Sequence, residues 1–160
     1  MTYAVTDISD KFGETLRYPA PIFQDFGGST RFFGQVKTLS TFEDNSLLRQ
    51  CVETPGCGMV LVVDGGGSPN CALFGGNLAK LAADNGWAGI IIHGYVRDRL
   101  ELQAEAVGIK ALGTHPRKSE KRELGILDIG LNFAGIRINP HDWVYADEDG
   151  MVFSDRPLEL

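Results

Sequence analysis

Two short apolar runs, residues 59–63 and 89–92, restrict the fold of this chain more than any other feature of its sequence. Both runs are rich in valine or isoleucine and are followed by glycine and polar residues, which is typical of buried strands that lead into loops. The segment 75–86 between them carries leucine and alanine at helical spacing and ends on glycine, so it predicts a helix. Strand, helix and strand in this order predict an α/β fold with parallel strands.

Gly75 and Gly76 stand where this helix is predicted to begin. The free amides of a helix's first turn, together with the positive end of its dipole, bind carboxylates and phosphates. Glycine lets such a ligand approach the backbone closely. A tight turn that needs positive φ explains two adjacent glycines equally well, so the pair by itself is weak evidence for an anion site.

Arg97 and Asp98 follow the second predicted strand. An arginine in this position can hold an anionic substrate, and an aspartate can hold a hydrated divalent metal. The alternative interpretation is an ordinary exposed ion pair. Three glycines, residues 65–67, follow the first strand, and ligands of α/β sheets gather outside the carboxyl ends of strands. If both loops line one rim, amides and guanidinium converge on the same small anion.

Several separated motifs, taken in order, resemble the RraA-like family. This family includes the regulators of ribonuclease E activity and the class II 4-hydroxy-4-methyl-2-oxoglutarate aldolases. The resemblance covers nearly the whole chain, from about Phe26 to Asp155. The motifs that carry it are residues 26–28, 42–45 and 64–68, the helix start at Gly75-Gly76, Arg97-Asp98, and residues 145–147 and 149–150.

The resemblance implies a compact α/β/β sandwich like that of the swivelling phosphohistidine domains. We expect residues 1–160 to form a single domain of this kind. The resemblance further implies a homotrimer whose cleft lies between adjacent subunits. A length of 160 residues, 43% of them hydrophobic, is sufficient for one core and makes two domains unnecessary.

The resemblance also assigns roles to residues of this sequence. Arg97 is implied to hold the substrate and take part in catalysis. Asp98 is implied to be catalytic and to support a divalent metal largely through water; the metal is magnesium in most members, with manganese as the alternative. The substrate is implied to bind the backbone amides of Gly75, Gly76, Asn77 and Leu78.

The implied reaction is retro-aldol cleavage of 4-hydroxy-4-methyl-2-oxoglutarate into two pyruvates, accompanied by oxaloacetate decarboxylation. Both reactions pass through a pyruvate enolate, which a metal and a guanidinium can stabilise without taking up a proton. A Schiff-base aldolase would need a lysine of lowered pKa in an apolar pocket. Lys80 and Lys110 have apolar neighbours, but a solvated helix face or loop explains both more simply. We therefore favour the metal-dependent reaction.

Two departures from the family's aldolases concern acidic residues. Those aldolases often carry an aspartate where this chain has Gly76, and they have an acidic cluster near the C-terminus that this sequence lacks. The general base is therefore unassigned; a metal-bound water is one candidate and His93 another, although a strand-end residue is the simpler interpretation of His93. Asp98, which the ribonuclease regulators can lack, favours a metal site.

Composition bears on the alternative function, a non-catalytic protein regulator that binds and inhibits ribonuclease E. The net charge of −6 and the absence of a basic stripe argue against direct nucleic-acid binding. Residues 117–122 form the main basic cluster and are interpreted as a solvated loop, with contact to an acidic partner as the alternative. No G-x-G-x-x-G nucleotide loop supports methyl transfer. No apolar stretch approaches the roughly 20 residues that span a bilayer, so we expect a cytoplasmic protein.

Other polar segments leave alternatives open. Asn45 is predicted to cap a helix over 45–52, and whether the carboxylates in 42–45 face the cleft is undecided. The acidic segment 147–149 is interpreted as a surface turn, with a metal site as the alternative. The three cysteines match no metal-ligand spacing, and Cys51 is predicted to be a small buried hydrophobic residue.

Overall fold

The computed structural model of the protein describes residues 2–160. Its helices are α1 (Val5–Phe12), α2 (Ser46–Val52), α3 (Gly76–Asp84) and α4 (Arg99–Gln103). Its strands are β1 (Gln24–Asp25), β2 (Phe32–Ser40), β3 (Val60–Asp64), β4 (Ala72–Phe74), β5 (Gly89–Val96), β6 (Gly108–Thr114), β7 (Ile126–Leu127), β8 (Leu131–Phe133), β9 (Ile136–Ile138), β10 (Trp143–Asp147) and β11 (Gly150–Ser154). Within these residues, no helix has the length and apolar character needed to cross a bilayer.

The predicted parallel strands form the centre of one mixed sheet. Its main strand order is β1-β6-β5-β3-β2-β10-β11, with β4 added to β5 and β7 added to β2. Strands β2, β3, β5 and β6 are parallel to one another, whereas β1, β7, β10 and β11 pair in antiparallel orientation. Strand β5 continues four residues beyond the predicted run, because Tyr95 and Val96 also pair with β4 and β6. Arg97 therefore follows the strand directly.

The alternating side chains of the parallel strands bury two different cores. Ile90 and Ile92 point to the face covered by α2 and α3, while Ile91 points to the opposite face. That second face is covered by β8, β9 and the curled hairpin β10–β11, which contribute Phe133 and Phe153. Each such buried side chain contributes roughly 1.5–3 kcal/mol. The layers are the predicted ones, helices, sheet and a second β layer, and α1 covers the outer face of β10–β11.

Helix α2 begins as expected but is capped by a different residue. The Asn45 side chain makes no capping hydrogen bond. Asp44 Oδ1 instead accepts from the backbone N–H and the hydroxyl of Ser46, at 2.9 and 2.6 Å. Asp44 is fully buried and Cys51 is also buried, as predicted for the cysteine. The capping prediction was wrong because Asp44 is the side chain that turns inward.

Lys110 corrects the expectation of a solvated lysine. It is only 3% exposed, its ammonium lies 3.1 Å from Asp25 Oδ1, and it donates to the backbone oxygen of Asp147 at 2.9 Å. The Asp147 carboxylate itself accepts from the backbone N–H groups of Val5 and Asp149. Within residues 2–160, no group of three or more acidic, histidine or cysteine side chains is arranged to hold a metal. The acidic segment 147–149 is a turn, as predicted, but Asp147 is not on the surface: it is only 2% exposed, because its carboxylate turns inward to these amides.

Candidate active site

Gly75 and Gly76 lie at the start of helix α3, as the sequence predicts, but they do not form a tight turn. Gly75 is extended (φ −145°, ψ −166°), and neither glycine has positive φ, so the tight-turn alternative is wrong. A Cβ on Gly75 would lie 2.7 Å from Asp98 Oδ2 and 3.2 Å from Arg97 Cγ. Glycine is needed because these side chains pack directly on the helix start.

Asp98 bridges the end of β5 and the start of α3. Its backbone is in the left-handed region (φ 63°), which is uncommon for a residue other than glycine and is found at strained functional positions. This conformation lets Asp98 Oδ2 accept the Gly76 N–H at 2.9 Å. The first helical bond of α3 is donated by Ala79 to Gly75 O, so the amides of Asn77 and Leu78 have no acceptor within the helix.

These residues surround one cavity of about 190 Å³. All six residues singled out from the sequence as site candidates line it. The remaining lining comes from α2, from β4 and from the loop that contains the basic run. The full lining is Asn45, Arg49, Ala72, Phe74, Gly75, Gly76, Asn77, Leu78, Arg97, Asp98, Lys118, Ser119 and Lys121.

The cavity wall carries more positive than negative charge. Arg49, Arg97, Lys118 and Lys121 line it, against the single carboxylate of Asp98. Arg49 is partly neutralised by an exposed ion pair with a residue of its own helix. Arg97 is half-buried, and its guanidinium makes one long contact of 3.4 Å to a backbone oxygen, which leaves most of its donors free. This arrangement favours a ligand with two negative charges.

Glu101 is a candidate site residue that the sequence interpretation missed. A Cβ on Gly76 would lie only 1.8 Å from Glu101 Oε2, so the Glu101 carboxylate occupies the space of a side chain at position 76. Among residues 2–160, the Glu101 carboxylate has no hydrogen bond or ion pair. Glu101 lies beside position 76 but is not part of the cavity lining, so the absence of an aspartate at Gly76 remains a departure from the family's aldolases. The available signal was the spacing of Asp98 and Glu101, because residues three apart at a helix start face the same side.

The basic loop is not simply solvated. Lys118 and Lys121 are exposed, as predicted, but Ser119 between them is only 6% exposed. Asp44 Oδ2 holds the loop by accepting the backbone N–H groups of Arg122 and Leu124 at 2.8 and 3.0 Å. The buried carboxylate thus joins α2 to the loop that closes the cavity.

The ionisation of Asp44 reflects these contacts. Burial is the largest single influence and disfavours the charged form. The hydrogen bonds from the Ser46 hydroxyl and from the backbone N–H groups of Leu124, Ser46 and Arg122 together outweigh it and lower the pKa of Asp44 to about 2. The carboxylate is therefore charged at neutral pH.

Of three other sequence candidates, two lie outside the cavity lining and the third contributes one residue to it. The glycine run 65–67 folds back on β5, where Gly65 and Gly67 donate to His93 O, so it does not share the rim with Arg97. His93 lies inside β5 and not at its end, so the strand-end interpretation is wrong, because the strand continues to Val96. Its ring lies 3.3 Å from Asp64 Oδ1 and stacks on Phe133, outside the cavity lining. Of the segment 42–45, only Asn45 lines the cavity.

The carboxylates near the start of α3 are oxygen ligands of the kind that magnesium binds. Asp98 and Glu101 bring two carboxylates to the helix start, and no third ligand-type side chain completes a cage within residues 2–160. Magnesium commonly binds through one or two carboxylates and retains several waters, which a chelating ligand can replace. Two carboxylates with room for water are compatible with a hydrated divalent ion, and Asp98 and Glu101 are the residues that would hold it.

Comparisons with known proteins agree with this fold. A sequence profile of the RraA-like family (Aldolase/RraA) matches residues 2–153. A protein of Alkalilimnicola ehrlichii, provisionally named 4-hydroxy-4-methyl-2-oxoglutarate aldolase, is 51% identical over 99% of this chain and 98% of its own length.

Two solved structures are similarly close. The RNA-processing inhibitor RraA from Thermus thermophilis has a TM-score of 0.95 and 44% identity, over 99% of this chain and 96% of its own. A structure from Geobacillus kaustophilus, named S-adenosylmethionine:2-dimethylmenaquinone methyltransferase, also has a TM-score of 0.95 and 44% identity, over 98% of this chain and 97% of its own. The names given to such similar proteins differ, so the site chemistry has to decide between them.

Proposed function

Because the chain belongs to the RraA-like family, we propose that it is an aldolase that cleaves 4-hydroxy-4-methyl-2-oxoglutarate into two pyruvates and also decarboxylates oxaloacetate. The observation that carries the proposal is the cavity at the start of α3, where Arg97, Asp98 and free helix amides converge. Its excess of positive charge suits substrates with two carboxylates. The lack of a G-x-G-x-x-G loop gives methyl transfer no comparable support.

The site offers separate contacts for the two ends of such a substrate. The 2-oxo acid end is held by Arg97, with the amides of Asn77 and Leu78 directed at its carboxylate. The distal carboxylate faces the ammonium groups of Lys118 and Lys121. Arg97 is suited to the first role because its planar fork binds carboxylate and ketone oxygens in a fixed direction.

Cleavage breaks the bond between C3 and C4. The C4 hydroxyl loses its proton and becomes the ketone of one pyruvate, while C3 keeps the bonding electrons as the enolate of the other and is then protonated. Arg97 stabilises the charge that develops on the enolate oxygen. The hydroxyl proton has to leave by way of water, and Glu101, whose carboxylate lies beside Gly76 but outside the cavity lining, is available as its final acceptor. Oxaloacetate reaches the same enolate by losing carbon dioxide and needs no such base.

A divalent ion, magnesium or manganese, would be held by Asp98 with Glu101 nearby. When bound it supplies Lewis-acid polarisation of the 2-oxo group. The left-handed backbone of Asp98 and its bond to Gly76 fix the carboxylate in place before any ligand arrives. A preorganised carboxylate of this kind reduces the cost of binding.

Pyruvate release from both substrates tests the proposal. We expect turnover with magnesium, loss with a chelator, and a fall of about a hundred- to a thousandfold in Arg97→Ala. The Arg97→Ala protein also controls for decarboxylation by free metal. An exchange such as Lys80→Ala, on the exposed side of α3 and outside the cavity, should leave both rates unchanged. Rates equal to those of Arg97→Ala on both substrates would refute the aldolase proposal.

We also propose a cytoplasmic homotrimer with its sites between subunits. An exposed apolar surface made of Phe42, Leu124 and Ile126, which are 61%, 53% and 58% exposed, supports burial against another subunit. Analytical ultracentrifugation tests this assembly, and a monomer at micromolar concentration would contradict it.

A second candidate function is inhibition of ribonuclease E by direct protein contact. Its support is the Thermus RNA-processing inhibitor, which matches nearly the whole chain. The two functions separate in one variant, because Arg97→Ala should stop pyruvate release but leave surface-mediated inhibition intact. A purified ribonuclease E cleavage assay with both proteins measures this, and no inhibition by the wild type removes the second candidate.

A further inference from the structure

Two residues of the cavity wall each carry a buried polar side-chain atom that has no hydrogen-bond partner within residues 2–160. Among residues 2–160, the buried side-chain atoms without a hydrogen bond are Asp25 Oδ1, Asn45 Oδ1 and Ser119 Oγ. Asp25 Oδ1 is compensated by the ammonium of Lys110 at 3.1 Å. Asn45 and Ser119, in contrast, both line the cavity at the start of α3. Because unpaired buried polar atoms are rare and costly, the presence of both residues in the lining of one cavity points to a ligand group.

The chemistry of these two atoms identifies that group. An amide oxygen accepts hydrogen bonds only, whereas a serine hydroxyl both donates and accepts. A carboxylate or phosphate has no proton to offer Asn45 Oδ1. A metal ion at this wall would face the ammonium groups of Lys118 and Lys121. An alcohol hydroxyl satisfies both atoms, since it can donate one hydrogen bond and accept another.

We infer that Asn45 and Ser119 form a neutral subsite that recognises a hydroxyl group on the ligand. The inference rests on the proposed function and deepens it, because it makes the site selective for hydroxylated 2-oxo dicarboxylates. In 4-hydroxy-4-methyl-2-oxoglutarate the hydroxyl and the distal carboxylate share one carbon. The subsite adjoins Lys118 and Lys121 in the same wall, so both groups of that carbon are recognised together. The keto form of oxaloacetate carries no hydroxyl and makes no use of the subsite.

The local structure allows clean variants. Ser119→Ala removes a hydroxyl that has no partner within residues 2–160, so the fold loses no hydrogen bond. Asn45→Ala removes no helix cap, since Asp44 caps α2, and the Asn45 backbone (φ −106°) is open to alanine. Ser154→Ala is the control for removing a buried hydroxyl elsewhere, because Ser154 is 1% exposed, lies outside the cavity lining and gives up only a long bond of 3.3 Å from the Arg156 N–H.

Substrate selectivity is the first measurement. We expect Ser119→Ala and Asn45→Ala each to lower kcat/KM for 4-hydroxy-4-methyl-2-oxoglutarate by about tenfold, the effect of one neutral hydrogen bond. The kcat/KM for oxaloacetate should change by less than about twofold, and Ser154→Ala should alter neither value. Equal losses on both substrates, or no loss on either, would overturn the inference.

Ligand binding provides a test that is independent of turnover. Citramalate and 2-methylsuccinate are dicarboxylates that differ by one hydroxyl, and titration calorimetry compares their affinities. We expect the wild type to bind citramalate about tenfold more tightly and Ser119→Ala to bind the two equally. A wild type without this preference overturns the inference. If the wild type prefers citramalate but turns over neither substrate, the subsite is supported. The proposed aldolase activity is then refuted.

Discussion

Replacing the buried carboxylate of Asp44 should loosen the joint between α2 and the loop that closes the cavity. Asp44 accepts two bonds from Ser46 on one oxygen and one bond each from Arg122 and Leu124 on the other. In Asp44→Asn one of these oxygens becomes an NH₂ group that faces two donors, so two hydrogen bonds to a charged acceptor are lost. At about 1.5–3 kcal/mol each, with partial relaxation, we expect a destabilisation of about 3–4 kcal/mol.

Thermal unfolding measures this loss. For a domain of this size the melting temperature should fall by about 10 °C at pH 7, on the scale of 2–4 °C per kcal/mol. Asp84→Asn makes the same chemical change in an exposed ion pair with Lys80 and should cost less than about 0.5 kcal/mol. A melting temperature for Asp44→Asn that matches Asp84→Asn would refute the reasoning.

The pH dependence provides a second check with a definite sign. Because the folded-state pKa of Asp44 is about 2, below its ordinary value of 3.8, ionised Asp44 stabilises the fold above about pH 4. That stabilisation is lost as the pH falls towards 2. The difference in melting temperature between wild type and Asp44→Asn should therefore narrow from pH 4 downwards. A difference that stays constant to pH 2.5 would contradict the assignment of the carboxylate.

Three further perturbations test other parts of the structure. Arg97→Lys should lower kcat by about a hundredfold or more without changing the melting temperature, because an ammonium cannot replace the planar fork; near-normal kcat would contradict this role. Gly76→Ala should displace the Glu101 carboxylate and lower kcat/KM as much as Glu101→Ala does. The double variant should show no further loss, whereas additive losses would show that the two residues act separately. Lys110→Met should destabilise the protein by about 3 kcal/mol in urea unfolding, because the Asp25 carboxylate loses its ion-pair partner. Adding Asp25→Asn to that variant should recover part of the lost stability. If it recovers none, the broken Lys110–Asp25 ion pair does not explain the destabilisation.

Much of the fold could be read from local sequence patterns. The runs 59–63 and 89–92 became β3 and β5 because continuous apolar residues are stable only where both faces of a strand are covered. The helix start at Gly75 and the position of Arg97 after a strand were also predicted from local patterns, although the packing of Arg97 and Asp98 on Gly75 was not. The candidate residues 75–78, Arg97 and Asp98 do line one cavity, and their chemical roles remain predictions.

The errors fall where contacts join distant parts of the chain. Asp44 binds Arg122, which is 78 residues away, so no local pattern could identify it as the anchor of the basic loop. The burial of Lys110 depends on Asp25 in an edge strand, and the glycine run 65–67 folds back on β5 instead of facing Arg97.

The sequence by itself determined the strand–helix–strand order, the helix start and the presence of an arginine and an aspartate after a strand, because these follow from periodicity and backbone preferences over a few residues. Only the tertiary structure decided which side chains complete the cavity. Ser119 and Asn45 line the same cavity because Asp44 ties the basic loop to α2. Glu101, outside that lining, lies against Gly76 because α4 packs beside α3. Such contacts depend on how the chain packs in three dimensions, which spacing along the sequence does not encode.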